Sequence, residues 1–179
     1  KYAVTVNSGT TALHLALVTL GVKKGDEVIV SSLTNMASIF AILYIGAIPV
    51  PIDIENETYN LDVDLIENKI TKKTKAILAV HLFGHPAEMD QILKLSRKYK
   101  LKIVEDCAEA HGALYKNKMV GSIGDAGCFS FYANKIITTG EGGMITFNSK
   151  KYALKAKNLK ELAFGKGNKF MHTGVGYNY

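Results

Sequence analysis

Arginine is almost missing from this sequence: Arg97 stands alone among 179 residues, although Lys and Arg together number 22 and the net charge is +6. Proteins that read DNA lean on bidentate guanidinium contacts to guanine and phosphate. The lysines here are scattered instead over predicted helix faces, as at Lys150, Lys151, Lys155, Lys157 and Lys160. A nucleic-acid partner is therefore not expected; the surplus charge reads as a solvated face that also attracts an anionic small substrate. Cysteine is nearly as scarce. Cys107 and Cys128 form no CxxC pair and have small or apolar neighbours, which argues against a structural disulfide and against zinc. No apolar run approaches the roughly 20 residues of a membrane-crossing helix. Residues 1–10 also lack the basic-then-apolar order of a secretion signal, so the expectation is a cytoplasmic protein with no membrane partner. Walker and GxGxxG signatures are absent as well, which removes the usual nucleotide-binding loops.

What is present is the composition of an ordinary globular domain, 47% hydrophobic, in which short apolar strands alternate with amphipathic helices. Strands are expected from Val4 to Val6, Glu27 to Val30, Ile48 to Ile52, Ala76 to Val80, Leu101 to Glu105, Ala126 to Phe131 and Met144 to Phe147. Helices are expected from Thr11 to Leu20, Met36 to Tyr44, Val63 to Ile70 and Ala87 to Tyr99. That alternation predicts one α/β domain with a mainly parallel central sheet. Phe40 and Tyr44 read as core packing. Tyr2 enters a strand at once and the Gly176 to Tyr179 segment stops inside an ordered motif, so sequence is expected to continue beyond both ends.

Three segments carry chemistry. Asn7, Ser8, Gly9, Thr10 and Thr11 form a small polar turn between a strand and a helix, where free backbone N–H groups at a positive helix end suit a phosphate. The alternative is an ordinary N-cap by Ser8 or Thr10. Leu101 to Asp106 is an apolar strand running into a carboxylate at the edge where open α/β sheets bind ligands. Asp106 there needs a cationic or hydrogen-bonding partner, for which a protonated pyridine nitrogen is suitable, or else it serves as a loop cap. Glu109 and His111 follow, either touching a ring substituent or finishing the turn. Phe129 to Gly143 places Lys135 between aromatic and β-branched neighbours and ahead of Gly140, Gly142 and Gly143. A lysine so desolvated is readily neutral and able to form an imine, whereas a surface lysine is the alternative. Ser130 is placed to offer its hydroxyl to the same phosphate. His81 and His85 stand i, i+4, but Gly84 and Pro86 argue against one helix carrying both, so no metal is expected.

The segments Ser8-Gly9-Thr10, Glu105-Asp106 and Phe129-Ser130-Phe131, with Lys135 ahead of Thr138-Thr139-Gly140-Glu141-Gly142-Gly143, resemble the DegT/DnrJ/EryC1/StrS family. Gly46-Ala47, His81-Leu82-Phe83-Gly84 and Gly176-Tyr177-Asn178-Tyr179 match it in the same order. The resemblance, to perosamine-synthase-like members, covers essentially the whole chain. It implies the aspartate-aminotransferase fold (fold type I), with helices on both faces of the sheet, and pyridoxal 5'-phosphate (PLP) as cofactor. Residues 1–179 would be its PLP-binding large domain, with the small C-terminal domain to follow Tyr179.

Carried over by position, the resemblance implies that Lys135 holds the cofactor as a Schiff base and that Asp106 pairs with its ring nitrogen. Ser8, Gly9, Thr10, Thr11 and Ser130 surround the phosphate. Glu109, where many relatives have glutamine, stands near the ring oxygen, and Asn35 stands where many have an aromatic residue. The implied enzyme is a homodimer with shared active sites, in which Asn178 reaches the neighbour's phosphate. It passes an amino group from an amino acid, glutamate, to a keto nucleotide-sugar in surface-polysaccharide or O-antigen biosynthesis. Alternatives are a dehydratase of the same family, which replaces the lysine with histidine, and a non-catalytic fragment or regulatory protein on this fold. An arginine for the donor's carboxylate is expected outside this chain, since Arg97 lies on a helix remote from the motifs.

Overall fold

The computed structural model describes residues 1–165 and 168–179. The chain begins with β1 (Tyr2–Val6), α1 (Gly9–Leu20), β2 (Glu27–Ser31), α2 (Met36–Leu43), β3 (Ile48–Ile52) and α3 (Val63–Ile66). It continues with β4 (Thr74–Val80), α4 (Met89–Tyr99), β5 (Lys102–Asp106) and a short hairpin of β6 (Leu114–Tyr115) and β7 (Lys118–Met119). Then follow β8 (Ala126–Ser130), β9 (Gly143–Phe147), α5 (Lys150–Lys160), β10 (Phe164–Gly165) and β11 (Asn168–His172).

Seven strands form one sheet in the order β1, β9, β8, β5, β4, β2, β3. From β3 to β8 all neighbours run parallel, while β9 is antiparallel to both β8 and β1. The sheet is thus mainly parallel, as the alternation of strands and helices predicts. Its central strands are apolar on both faces, which is what parallel strands covered twice require. Along β4, Ala76, Leu78 and Val80 enter the core shared with α1, α2 and α5, whereas Ile77 and Ala79 enter the one shared with α3 and α4. Val28 and Val30 divide from Ile29 on β2 in the same way. Leu78 and Ile77 are both fully buried. Truncating either to Ala costs about 2–5 kcal/mol. Pro49 and Pro51 are accommodated because β3 is an edge strand, where a missing N–H breaks no ladder.

Two expectations are corrected. Phe40 and Tyr44 are not core: they stack on each other at 6.1 Å between ring centres and remain 40% and 65% exposed. With Met36 and Leu43 they leave an apolar outer face on α2, since only Ser38, Ala41 and Ile42 of that helix point fully inward. The helix expected from Val63 to Ile70 is α-helical only to Ile66 and ends in a 3-10 turn over Glu67–Lys69.

The parallel strands end on one edge. Ser31, Val80, Asp106 and Ser130 are the last residues of β2, β4, β5 and β8. Helix α1 starts beside them, because β1 points the same way as β8.

Candidate active site

At the start of α1 the chain is extended at Ser8 (φ −163°), whose hydroxyl accepts the Thr11 N–H at 3.1 Å. Thr11 returns the contact by accepting the Ser8 N–H at 3.1 Å, a reciprocal capping box. Its hydroxyl also donates to Asn7 Oδ1 at 2.8 Å. The first helical bond runs from Ala12 N–H to Ser8 carbonyl, so the N–H groups of Gly9 and Thr10 precede the helical ladder and remain for an anion. Of the two readings of this turn, the structure shows the cap, made by Ser8 and Thr11, and the cap leaves Ser8, Gly9 and Thr10 lining a cleft. Thr11 is not on the cleft wall.

Ser130 closes the cradle. An ideal Cβ on Gly9 would lie 2.6 Å from the Ser130 Cβ, so only glycine lets the end of β8 approach the start of α1. A Cβ on Gly143 would likewise collide with the Ser8 carbonyl. Ser130 and Gly143 are themselves register partners between β8 and β9. The segment between them carries Lys135. Phe131 ties its base, donating its N–H to the Gly142 carbonyl at 2.9 Å and accepting the Thr139 N–H at 3.0 Å. At its tip the Lys135 N–H donates to the Tyr132 carbonyl at 2.9 Å.

Lys135 is half-buried. Its expected shielding by neighbours is only partial, since Ile136 and Ile137 are 68% and 56% exposed. Among the described residues it has no ion-pair partner.

Asp106 ends β5 in a buried position. Its Oδ1 accepts the Ala108 N–H at 3.1 Å, and its Oδ2 accepts the Ser38 hydroxyl at 2.9 Å. Burial pushes this carboxyl above its ordinary value, against the opposing pull of the Ala108 N–H, Ser38 and Lys135. Ser38, fully buried on α2, has no counterpart among the sequence expectations. The contact joins residues 68 positions apart, and nothing local to either marks it.

The neighbouring Glu105 faces the other way and is structural. It accepts backbone N–H groups from Gly121 at 2.8 Å, Ile123 at 2.9 Å and Gly124 at 2.6 Å. His81 Nε2 lies 3.1 Å from its Oε2, while His81 Nδ1 accepts the Ala87 N–H at 3.1 Å. The proton therefore sits on Nε2 and points at Glu105. His81, Glu105 and Cys107 bring ligand-type atoms within 4.8 Å of one another. The hydrogen bonds just described already use those of Glu105 and the Nε2 of His81. The Cys107 and Cys128 thiols are free and buried, and burial pushes both well above their ordinary value.

One cleft of about 290 Å³ gathers Ser8, Gly9, Thr10, Asp106, Glu109, Ser130 and Lys135. That volume is at the small end of ligand pockets, which run from roughly 300 Å³ upward. Glu109 accepts the Phe83 N–H at 2.9 Å on its Oε2, so one carboxylate oxygen is engaged by backbone. His111 lies outside the cleft wall, its ring 5.6 Å from those of both Phe129 and Phe131. Asn35 lines the cleft and also caps α2, accepting the Ala37 N–H at 2.9 Å. Asn178 is exposed and bridges to Glu161, away from this chain's own cleft.

All 179 residues match the DegT/DnrJ/EryC1/StrS aminotransferase family. The chain belongs to that family. The GDP-perosamine synthase of Escherichia coli O157:H7 is 51% identical over 179 residues, which are 100% of this chain and 49% of that enzyme. The aminotransferase from Psychrobacter cryohalolentis superposes with a TM-score of 0.94 at 41% identity, covering 99% of this chain and 48% of that one. The S. venezuelae DesV, solved in complex with a ketimine intermediate, gives a TM-score of 0.92 at 42% identity, covering 99% and 47%. The chain thus spans about half the length of the DegT-family relatives it matches.

PLP is the cofactor of the DegT family, and the residues present fit it. A phosphate suits the Gly9 and Thr10 N–H groups beside Ser130, where a Cβ on residue 9 would intrude. A protonated ring nitrogen suits the buried Asp106 carboxylate, which has no ion-pair partner within 4.0 Å among the described residues. An aldehyde carbon suits the Lys135 amine.

Proposed function

We propose that the protein containing this chain is a PLP-dependent sugar aminotransferase. It moves an amino group from an amino acid, glutamate, to a GDP-linked keto sugar destined for surface polysaccharide. One juxtaposition carries the reading: the Asp106 carboxylate and the Lys135 amine share a cleft with the N-terminus of α1. The similarity to a GDP-perosamine synthase over the full length of the chain supports GDP as the nucleotide.

PLP, when bound, supplies an electron sink through which nitrogen can leave one carbon and enter another. The protein's part is to bind, orient and move protons. The start of α1 and the Ser130 hydroxyl hold the phosphate. Asp106, ionised and desolvated, keeps the ring nitrogen protonated. Lys135 Nζ would hold the cofactor's aldehyde carbon and, as the free amine, would take a proton from one carbon and return it to another. Glu109 lines the same cleft as Lys135 and Asp106, held by the Phe83 N–H on its Oε2.

Residues 1–179 act in this reading as the large, cofactor-binding domain of a homodimer whose Asn178 serves the neighbouring site. The apolar outer face of α2, with Tyr44 65% and Met36 52% exposed, supports a covered surface there. Among the described residues no helix is long and apolar enough to cross a membrane, which is consistent with a cytoplasmic site of action.

The test uses the full-length protein loaded with PLP. A visible absorbance band is expected, together with a mass gain showing amination of a GDP-linked keto sugar when glutamate is supplied. Lys135→Ala loses both. Retention of the band and of turnover in Lys135→Ala, or failure to aminate any keto nucleotide-sugar, overturns the reading.

A further inference from the structure

Thr34, Ser38 and Asp106 form a chain of hydrogen bonds that joins two points of the cleft wall, Thr34 and Asp106, through the buried Ser38. Thr34 lines the cleft and is half-buried. Its Oγ1 lies 2.9 Å from the Ser38 Oγ, and the Ser38 Oγ donates to Asp106 Oδ2 at 2.9 Å. Ser38 is fully buried and has a single hydroxyl hydrogen. Since that hydrogen is committed to Asp106, the contact with Thr34 must be made by the Thr34 hydrogen pointing at Ser38. The direction of the whole chain follows: Thr34 donates to Ser38, and Ser38 donates to Asp106. Each bond polarises the next, so the bond reaching the carboxylate is stronger than an isolated serine would give.

We propose that Thr34 and Ser38 are positioning residues that hold Asp106 ionised and aimed at the ring nitrogen, and that a ligand in the cleft acts on Asp106 through Thr34. The proposal rests on the reading of Asp106 as the ring-nitrogen partner. It also assigns a preference to the mouth of the relay. The Thr34 hydrogen is used inward, so its oxygen is left to accept. A ligand hydroxyl or amine that donates to Thr34 reinforces the chain, whereas a ligand oxygen that only accepts must take the Thr34 hydrogen and weaken it. The class of ligand matched to this position is a hydroxyl-bearing one, such as a sugar ring.

The need for the relay is electrostatic. Burial favours the neutral acid at Asp106, and the ionised form is upheld by few groups. These are the Ala108 N–H, the Ser38 hydroxyl and Lys135 on the segment after β8; His81, the residue after β4, points its Nε2 proton at Glu105 instead. Glu105 and Cys107 beside it on the chain and Cys128 on β8 are further titratable groups near it, and Glu109, Glu141 and Tyr132 share its cleft. Of the two direct hydrogen bonds, the Ala108 one comes from backbone and is fixed by the fold, whereas the Ser38 one comes from a side chain that Thr34 polarises in turn.

The experiment titrates the Asp106 carboxyl by carbon-13 NMR in the full-length protein without cofactor, the resonance being assigned by its loss in Asp106→Asn. Ser38→Ala is expected to move the midpoint up by about one pH unit, the size of one charge-assisted hydrogen bond. Thr34→Val, which keeps the shape but not the hydroxyl, is expected to shift it in the same direction by less. Thr34→Ser restores the wild-type midpoint. Because Thr34 is at the cleft rim, its variants decide the matter even if Ser38→Ala does not fold. An unmoved or lowered midpoint in folded Ser38→Ala, or no difference between Thr34→Val and Thr34→Ser, overturns the relay. Either result leaves the PLP reading standing, because that depends on the absorbance of the loaded protein and its loss in Lys135→Ala.

Discussion

Gly9 and Ser130 meet so closely that a Cβ on the glycine would stand 2.6 Å from that of the serine. The start of α1 and the end of β8 touch there, and Gly9, Thr10 and Ser130 line the same cleft. Gly9→Ala is therefore expected to separate them by a few tenths of an ångström or more. The affinity for PLP should fall by about tenfold, equivalent to ~1.4 kcal/mol, with little change in fold. Equilibrium titration of the full-length protein with PLP measures this; unchanged affinity would show that the close approach is only packing.

Glu105 is expected to matter for stability rather than for turnover. Gln in its place would put an NH2 group among donors that now meet carboxylate oxygens, three backbone N–H groups and the His81 ring. Breaking one member of such a buried network costs about 3–5 kcal/mol. Urea unfolding of Glu105→Gln reads the loss directly, and a change under about 1 kcal/mol contradicts the network's importance.

His14 provides a pH dependence with a definite sign. Its ring is packed among Tyr44, Tyr177 and Tyr179, and Tyr179 OH lies 2.9 Å from its Nδ1. Burial lowers its pKa from the ordinary 6.5. As pH falls through 6.5, the unfolded chain binds the proton first, so His14 makes stability decline toward acid and leaves it unaffected above. His14→Gln should flatten that part of the stability profile. An unchanged slope would remove His14 as its source.

Both cysteines are expected to be inert in the native protein. Burial raises the Cys107 and Cys128 thiols well above their ordinary value, and only the thiolate attacks an alkylating reagent. Iodoacetamide at neutral pH should leave both unmodified until denaturant is added, as read by mass spectrometry. Rapid native labelling of either would contradict the burial.

Much of this was legible in the sequence because the core strands are short continuous apolar runs, as parallel strands covered on both faces must be. The strand–helix alternation therefore gave the sheet and its ligand-binding edge, and Asp106 and Lys135 stood out as polar residues ending or following apolar runs. The two-residue strands of β6, β7 and β10 were not legible, since so short a pairing has no period. The reversal of β9 had a cue in the glycine-rich turn before it, because a parallel return normally needs a crossover helix. The role of Ser38 had no cue at all. A serine in the first turn of a helix is ordinary, and its partner on β5 becomes visible only once the two elements pack. Phe40 and Tyr44 misled for the opposite reason: apolar character predicts burial, but both side chains stay exposed on the outer face of α2.

The pairing of Ser130 with Gly143 has a geometric consequence. Both ends of the Lys135 segment rest against the start of α1, Ser130 beside Gly9 and Gly143 beside Ser8, so the segment works as a caliper. Lys135 hangs from the same two points that fix the start of α1, and the span between them depends on the number of residues in one closed loop. Inserting or deleting a single residue between 131 and 142 would leave each jaw intact and change only the opening.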